Sequence, residues 1–161
     1  ANVKITPLGS HDGEFCSRDR AFVFEDPDGT RLLYDAGKTV AGADDKRLGE
    51  IDVVLVSHMH GDHVGNNHIK QVNAGQCGKP DTSVSALPNT NSVNIAIAKK
   101  ARIITGSEMP KFFASKLKAL GADPEDSQLV RFGASTKAGG RYHYHRAGRS
   151  FKRYRRRDDR R

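Results

Sequence analysis

A chain of 161 residues, 36% hydrophobic and 29% charged, suits one domain with a core of its own. Two cysteines are too few for a disulfide scaffold, and no apolar run nears the ~18 residues of a membrane helix. Of the formal charge of +8, residues 141–161 hold ten of the 27 Lys and Arg and two of the 19 Asp and Glu, which leaves 17 of each sign before them. Residues 1–140 carry no basic bias, so a nucleic-acid-binding reading rests on the tail alone.

Val3 to Pro7 alternates and is predicted to open the fold as a strand. His11, in Gly9-Ser10-His11-Asp12-Gly13, is expected in an exposed turn, with substrate contact the lesser reading. Arg20 to Glu25 and Arg31 to Tyr34 are predicted strands, and Asp26-Pro27-Asp28-Gly29-Thr30 between them makes a hairpin. Ala41 to Gly49 is polar and reads as loop or a short helix. Ile51 to Val56 is nearly all apolar, as a strand covered on both faces should be. Gln71 to Asn91 is rich in Asn, Gly, Ser and Pro and reads as a long functional or lid-like loop.

Ser92 to Lys100 is predicted helical, with Val93, Ala96 and Ile97 at helical spacing, although Val93, Ile95 and Ile97 also fit a strand. Arg102 to Thr105 is a short strand. A helix follows from Pro110 to Leu120, with Pro near its start and Gly121 after its end. Gln128 to Phe132 is the last strand before Gly133. Strands alternating with helices indicate an α/β layered domain.

The densest chemistry lies in Ser57-His58-Met59-His60-Gly61-Asp62-His63, directly after the apolar strand. Imidazole nitrogens and carboxylate oxygens are ligands for Zn²⁺ and similar metals. A strand cannot bring residues 58, 60, 62 and 63 together, because 62 and 63 would face opposite sides. A loop leaving the strand can, and Gly61 is expected to free the backbone to turn there. His68 reads as a surface histidine in preference to an accessory ligand.

This H-x-H-x-D-H pattern resembles that of the metallo-β-lactamase-fold hydrolases. Leu32-Leu33-Tyr34-Asp35-Ala36-Gly37, a strand ending in Asp-x-Gly, resembles the family too, and the order of elements matches from about residue 2 to residue 66. The resemblance implies an α/β fold, the αββα sandwich, and two metal positions. His58 and His60 would bind the first metal, Asp62 and His63 the second, and Asp62 would also orient the attacking water. Asp35 would stand behind them, bonding backbone or a ligand histidine. Zinc, as one or two ions, is the implied cofactor, with Ca²⁺ or Mn²⁺ as alternatives.

The family completes its site with a third histidine, a bridging aspartate and a last histidine, all further along a longer chain. Here only His68, His143 and His145 follow the motif, and neither His143 nor His145 sits in a family motif. The expectation is the first half of a two-half fold in residues 1–140, followed by a basic, irregular tail at 141–161. Reading residues 140–149 one base out of frame permits Val-Val-Thr-Ile-Thr-Thr-Val-Pro-Val-Val if the arginines use CGN codons, a strand of high propensity. The tail is therefore read as an out-of-frame segment in preference to an evolved arm; a genuine tail of this kind would be solvated.

The leading function is a metal-dependent hydrolase of a small ester, with a lactone favoured by resemblance. The alternatives are a truncated, weak or inactive relative with a partial metal site, and non-specific nucleic-acid binding through the arginines. The expected partner is a small-molecule substrate and no membrane, with the oligomeric state open. Cys16 and Cys77 could pair or stay free; export to a periplasm or outside the cell is slightly favoured over the cytoplasm. The start at Ala1 suits a processed precursor and a trimmed chain equally.

Overall fold

The apolar runs become a six-stranded sheet in the computed structural model, which describes residues 2–12 and 15–138. In chain order the elements are β1 (Lys4–Pro7), β2 (Phe22–Glu25), β3 (Arg31–Tyr34), β4 (Val53–Val56), the single-turn helix α1 (Gly61–Val64), and the short strands β5 (Asn67–His68), β6 (Gly75–Gln76), β7 (Lys79–Pro80) and β8 (Val84–Ser85). There follow α2 (Thr90–Lys99), β9 (Arg102–Thr105), α3 (Met109–Ala119), a 3₁₀ turn at Pro124–Asp126 and β10 (Ser127–Leu129). The main sheet runs β1-β2-β3-β4-β9-β10. Its β1–β2 and β2–β3 pairs are antiparallel, the second being the expected hairpin, and the other three pairs are parallel.

Register sorts the side chains onto two faces. Val23 opposes Leu33, Leu33 opposes Val54, and Val54 opposes Ile103. All four are buried in the core with Val93, Ile95, Phe113 and Leu117 of α2 and α3. The other face carries Phe22, Phe24, Leu32, Tyr34 and Leu55, all half-buried. Phe24 meets Tyr34 edge to face, ring centroids 6.5 Å apart. Such pairs add about 0.5–1.5 kcal/mol beyond their area.

The long Asn/Gly/Ser/Pro segment is partly structured. β6 and β7 form a hairpin within it, and β8 pairs with β5. Cys16 and Cys77 are joined as a disulfide, with Cα atoms 5.8 Å apart, which ties this hairpin to the loop before β2. α2 starts two residues earlier than expected because Thr90, Asn91 and Ser92 are buried and bonded. Among the described residues no helix is long and apolar enough to cross a membrane.

Two histidines depart from expectation. His68 is buried, not on the surface, because β5 is inside a pairing and its Nδ1 bonds the Ile69 carbonyl at 2.7 Å. His11 is half-buried, and its Nε2 is enclosed without a protein partner. The tail, with His143 and His145, lies outside the described residues.

Candidate metal centre

The site sits at the carboxyl end of β4, where open α/β sheets place their ligands. β4 ends at Val56, and the chain then turns through Ser57–His60 into α1. His60 is extended, with φ −66° and ψ 146°, and its carbonyl accepts from both His63 N and Val64 N. Gly61 itself is not left-handed. A Cβ there would meet the Asn66 side chain at 2.7 Å, so glycine is needed for room and not, as expected, for freedom to turn.

A second loop locks against this one. Asp35 ends β3 with φ 46°, a conformation aspartate tolerates better than most residues. Gly37 follows with φ 57°, and its N–H donates to the His63 carbonyl at 2.9 Å. A Cβ on Gly37 would lie 2.6 Å from the Asp62 carbonyl oxygen, and one on Gly65 would lie 2.3 Å from that of Gly37. The Asp-x-Gly signature thus provides a carboxylate and a gap through which the two loops touch.

Asp35 is fully buried and fully used. Its Oδ1 accepts from Ser57 N at 2.8 Å; its Oδ2 accepts from Ser57 Oγ and His63 Nδ1, both at 2.7 Å. Bonding to a carboxylate through Nδ1 leaves the Nε2 lone pair of a neutral His63 free. The Ser57 hydroxyl proton is spent on Asp35, so Ser57 Oγ is left to accept from His58 Nδ1, 3.0 Å away. One buried carboxylate therefore sets two imidazoles, one directly and one through a serine.

The four ligand-type side chains gather as two pairs. His58 Nε2 and His60 Nδ1 face each other at 3.0 Å. His63 Nε2 lies 3.6 Å from Asp62 Oδ2. The rings of His58 and His63 link the pairs, with centroids 3.9 Å apart. Among the described residues no three His, Cys, Asp or Glu side chains are arranged around one ion. The donor chemistry of the first pair nevertheless fits zinc. Two nitrogens at 2.0–2.1 Å on a tetrahedral ion stand roughly 3.3 Å apart, close to the spacing found. His58 Nε2 points its lone pair into that gap, which either a cation or a proton on His60 Nδ1 can fill.

A family model described as a beta-lactamase superfamily domain matches residues 18–146. The chain belongs to the metallo-β-lactamase-fold superfamily. Neither a curated protein nor a solved structure matches it. Superfamily membership carries hydrolase-type chemistry in general, and the mixed α/β sheet accords with it.

Two clefts flank the superfamily motif. One, of about 650 Å³, is lined by Gly61, Asp62 and Asn66 and by the basic residues Arg18, Arg20, Lys38 and Lys79. The other, of about 530 Å³, is apolar and runs from His58 and Met59 past Tyr34 and Leu55 to Met109 and Phe132. Sequence reasoning missed Ser57 and Arg20. Arg20 Nε lies 3.4 Å from Asp62 Oδ2, and its Nη1 donates to the Ser17 and Asp19 carbonyls. Ser57 was visible only as the residue before the motif, and nothing in the sequence links Arg20 to a residue 42 positions away.

Proposed function

We propose that the chain hydrolyses a small ester, a lactone being the favoured class, with zinc at His58, His60, Asp62 and His63. The observation that carries this is the His58 Nε2–His60 Nδ1 pair at 3.0 Å, backed by the Asp35–Ser57 relay that turns His58 Nε2 toward it. When bound, zinc makes hydroxide available near neutral pH and polarises a substrate oxygen. The chain's own groups do the rest. Asp62, restrained by Arg20, is the carboxylate that orients the attacking water and takes its proton. Asp35 holds His63 and, through Ser57, His58. The apolar cleft beside His58 suits the hydrocarbon part of such an ester.

The same geometry favours low activity. With pairs and no closed triad, the site stays open, and water screens the charges that would stabilise the transition state. An open, partly hydrated site also discriminates less among Zn²⁺, Ca²⁺ and Mn²⁺.

We read residues 1–140 as the hydrolase domain and 141–161 as a basic tail. The half-buried row Phe22, Phe24, Leu32, Tyr34 and Leu55, opposite the helices, supports an αββα sandwich of which this sheet is one layer. The Cys16–Cys77 bridge supports export to an oxidising compartment.

The test is metal analysis with hydrolysis of lactone, β-lactam and phosphodiester substrates. Chelator, His60→Ala and Asp62→Ala are each expected to abolish turnover. Full activity of His60→Ala in chelator would place the chemistry elsewhere.

A further inference from the structure

We infer that the basic cleft beside Asp62 is a subsite for an anionic oxygen group, a carboxylate or phosphate, carried by the substrate next to its scissile bond. This rests on the hydrolase reading for its role in turnover, but not for the binding itself.

Six charged residues line the cleft, and their partners decide its sign. Asp19 is buried, and its Oδ2 accepts from Cys16 N at 2.8 Å. Asp62 is engaged by Arg20 at 3.4 Å. Arg18, Lys38 and Lys79 make no ion pair among the described residues. Among the described residues the cleft is therefore lined by four cations and two carboxylates, a net of +2, although residues 1–140 are neutral overall. Like charges facing one cleft repel, and an anion between them relieves this.

Placement strengthens the reading. Lys38 directly follows Gly37, whose N–H bonds the His63 carbonyl, so its backbone is fixed against the metal loop. It is also half-buried, where a charge is less screened. Arg18 and Lys79 are exposed at the cleft, each two residues beyond a cysteine of the Cys16–Cys77 bridge. The bridge thus ties together the two segments that carry these cations, in a cleft that Gly61 and Asp62 also line. An apolar leaving group in the apolar cleft and an acyl-borne anion in this one would put the reacting carbonyl between the two clefts.

The experiment has two arms. In the first, inorganic phosphate and glutarate are titrated separately into the metal-free full chain at low salt by calorimetry, so that neither can bind through zinc. Lys38→Ala and Lys79→Ala are expected to weaken binding roughly 10- to 150-fold each, the range for losing one charge-assisted hydrogen bond. Lys38→Arg should restore most of it, and Lys111→Ala, on α3 away from the cleft, should not alter it. The tighter of the two anions identifies the group. In the second arm, the zinc-loaded chain hydrolyses 4-nitrophenyl acetate and mono-4-nitrophenyl glutarate. The kcat/KM preference for the glutarate ester should fall by a similar factor in Lys38→Ala, through KM. Binding lost in the variants, with neither ester hydrolysed, would keep the subsite and remove the hydrolase reading. Absence of binding by either anion, or equal binding by all variants, overturns the subsite.

Discussion

His63 Nδ1 lies 2.7 Å from Asp35 Oδ2, and these residues are 28 apart in sequence. The carboxylate is fully buried, and the imidazole side chain is 15% exposed. The contact joins the residue after β3 to α1, which follows β4, and these are neighbours only because those strands pair in parallel. The candidate metal centre is thus aimed from the sheet beneath it.

Replacing Asp35 with Asn keeps the shape and removes the charge that accepts three bonds. Zinc affinity is expected to fall about 10- to 100-fold, the usual cost of losing a carboxylate behind a metal-binding histidine. Stability should fall by about 1–3 kcal/mol, since Ser57 N and Oγ lose a strong acceptor. Zinc titration and urea unfolding measure the two effects separately.

Gly65→Ala and Gly37→Ala should each cost more than about 3 kcal/mol, because left-handed strain adds to a collision with backbone. Gly121→Ala is the control: its φ is also positive, but nothing lies within 4 Å, so about 1–2 kcal/mol of strain is expected alone. Urea midpoints of the three variants compare these costs.

Acid should loosen the loop that follows Gly37. Burial alone would raise the Asp45 carboxyl pKa, but hydrogen bonds from Arg47 and from Ala41 N, with the Arg47 charge, outweigh it and hold the value below 3.8. The unfolded chain therefore takes up this proton first. The carboxylate stabilises the fold above about pH 3.9 and stops doing so as the pH falls through its folded value. Arg47 also bonds the Gly9 and Thr39 carbonyls, so the loss reaches two loops. Asp45→Asn should be less stable at neutral pH and show a flatter decline below about pH 4 when urea midpoints are followed.

Reducing the Cys16–Cys77 bridge opens a loop of 61 residues' separation. Chain entropy then favours the unfolded state by about 4 kcal/mol. A Cys16→Ser, Cys77→Ser double variant should show that loss in urea, and free thiol assay of the unfolded wild type without reductant should read zero.

What could be read beforehand was whatever repeats at short range. Ile51 to Val56 announced β4 by composition, and four ligand-type residues in six announced the site. The hairpin followed from its turn residues. What could not be read depends on pairings between distant segments. His68 looks like any polar-loop histidine until β8 closes over β5. Gly61 looks like a turn glycine until Asn66 occupies its missing side chain's place. Arg20 becomes a partner of Asp62 only when the start of β2 and the end of β4 lie at the same end of the sheet, with β3 between them.

The first turn of α2 binds the carbonyls of both site loops. Asn91 N donates to the Gly65 carbonyl at 2.7 Å, Asn91 Nδ2 to that of Val40 at 2.9 Å, and Ser92 Oγ to that of Val64 at 3.0 Å. These bonds come from residues 26 or more positions beyond the loops they hold. The histidine motif is therefore not a portable cassette. Grafted onto another sheet as residues 57–65, it would carry every proposed ligand and leave behind the clasp that keeps them aimed. A transplant with a chance of retaining the geometry has to take Asp35–Val40 and Thr90–Ser92 along with it.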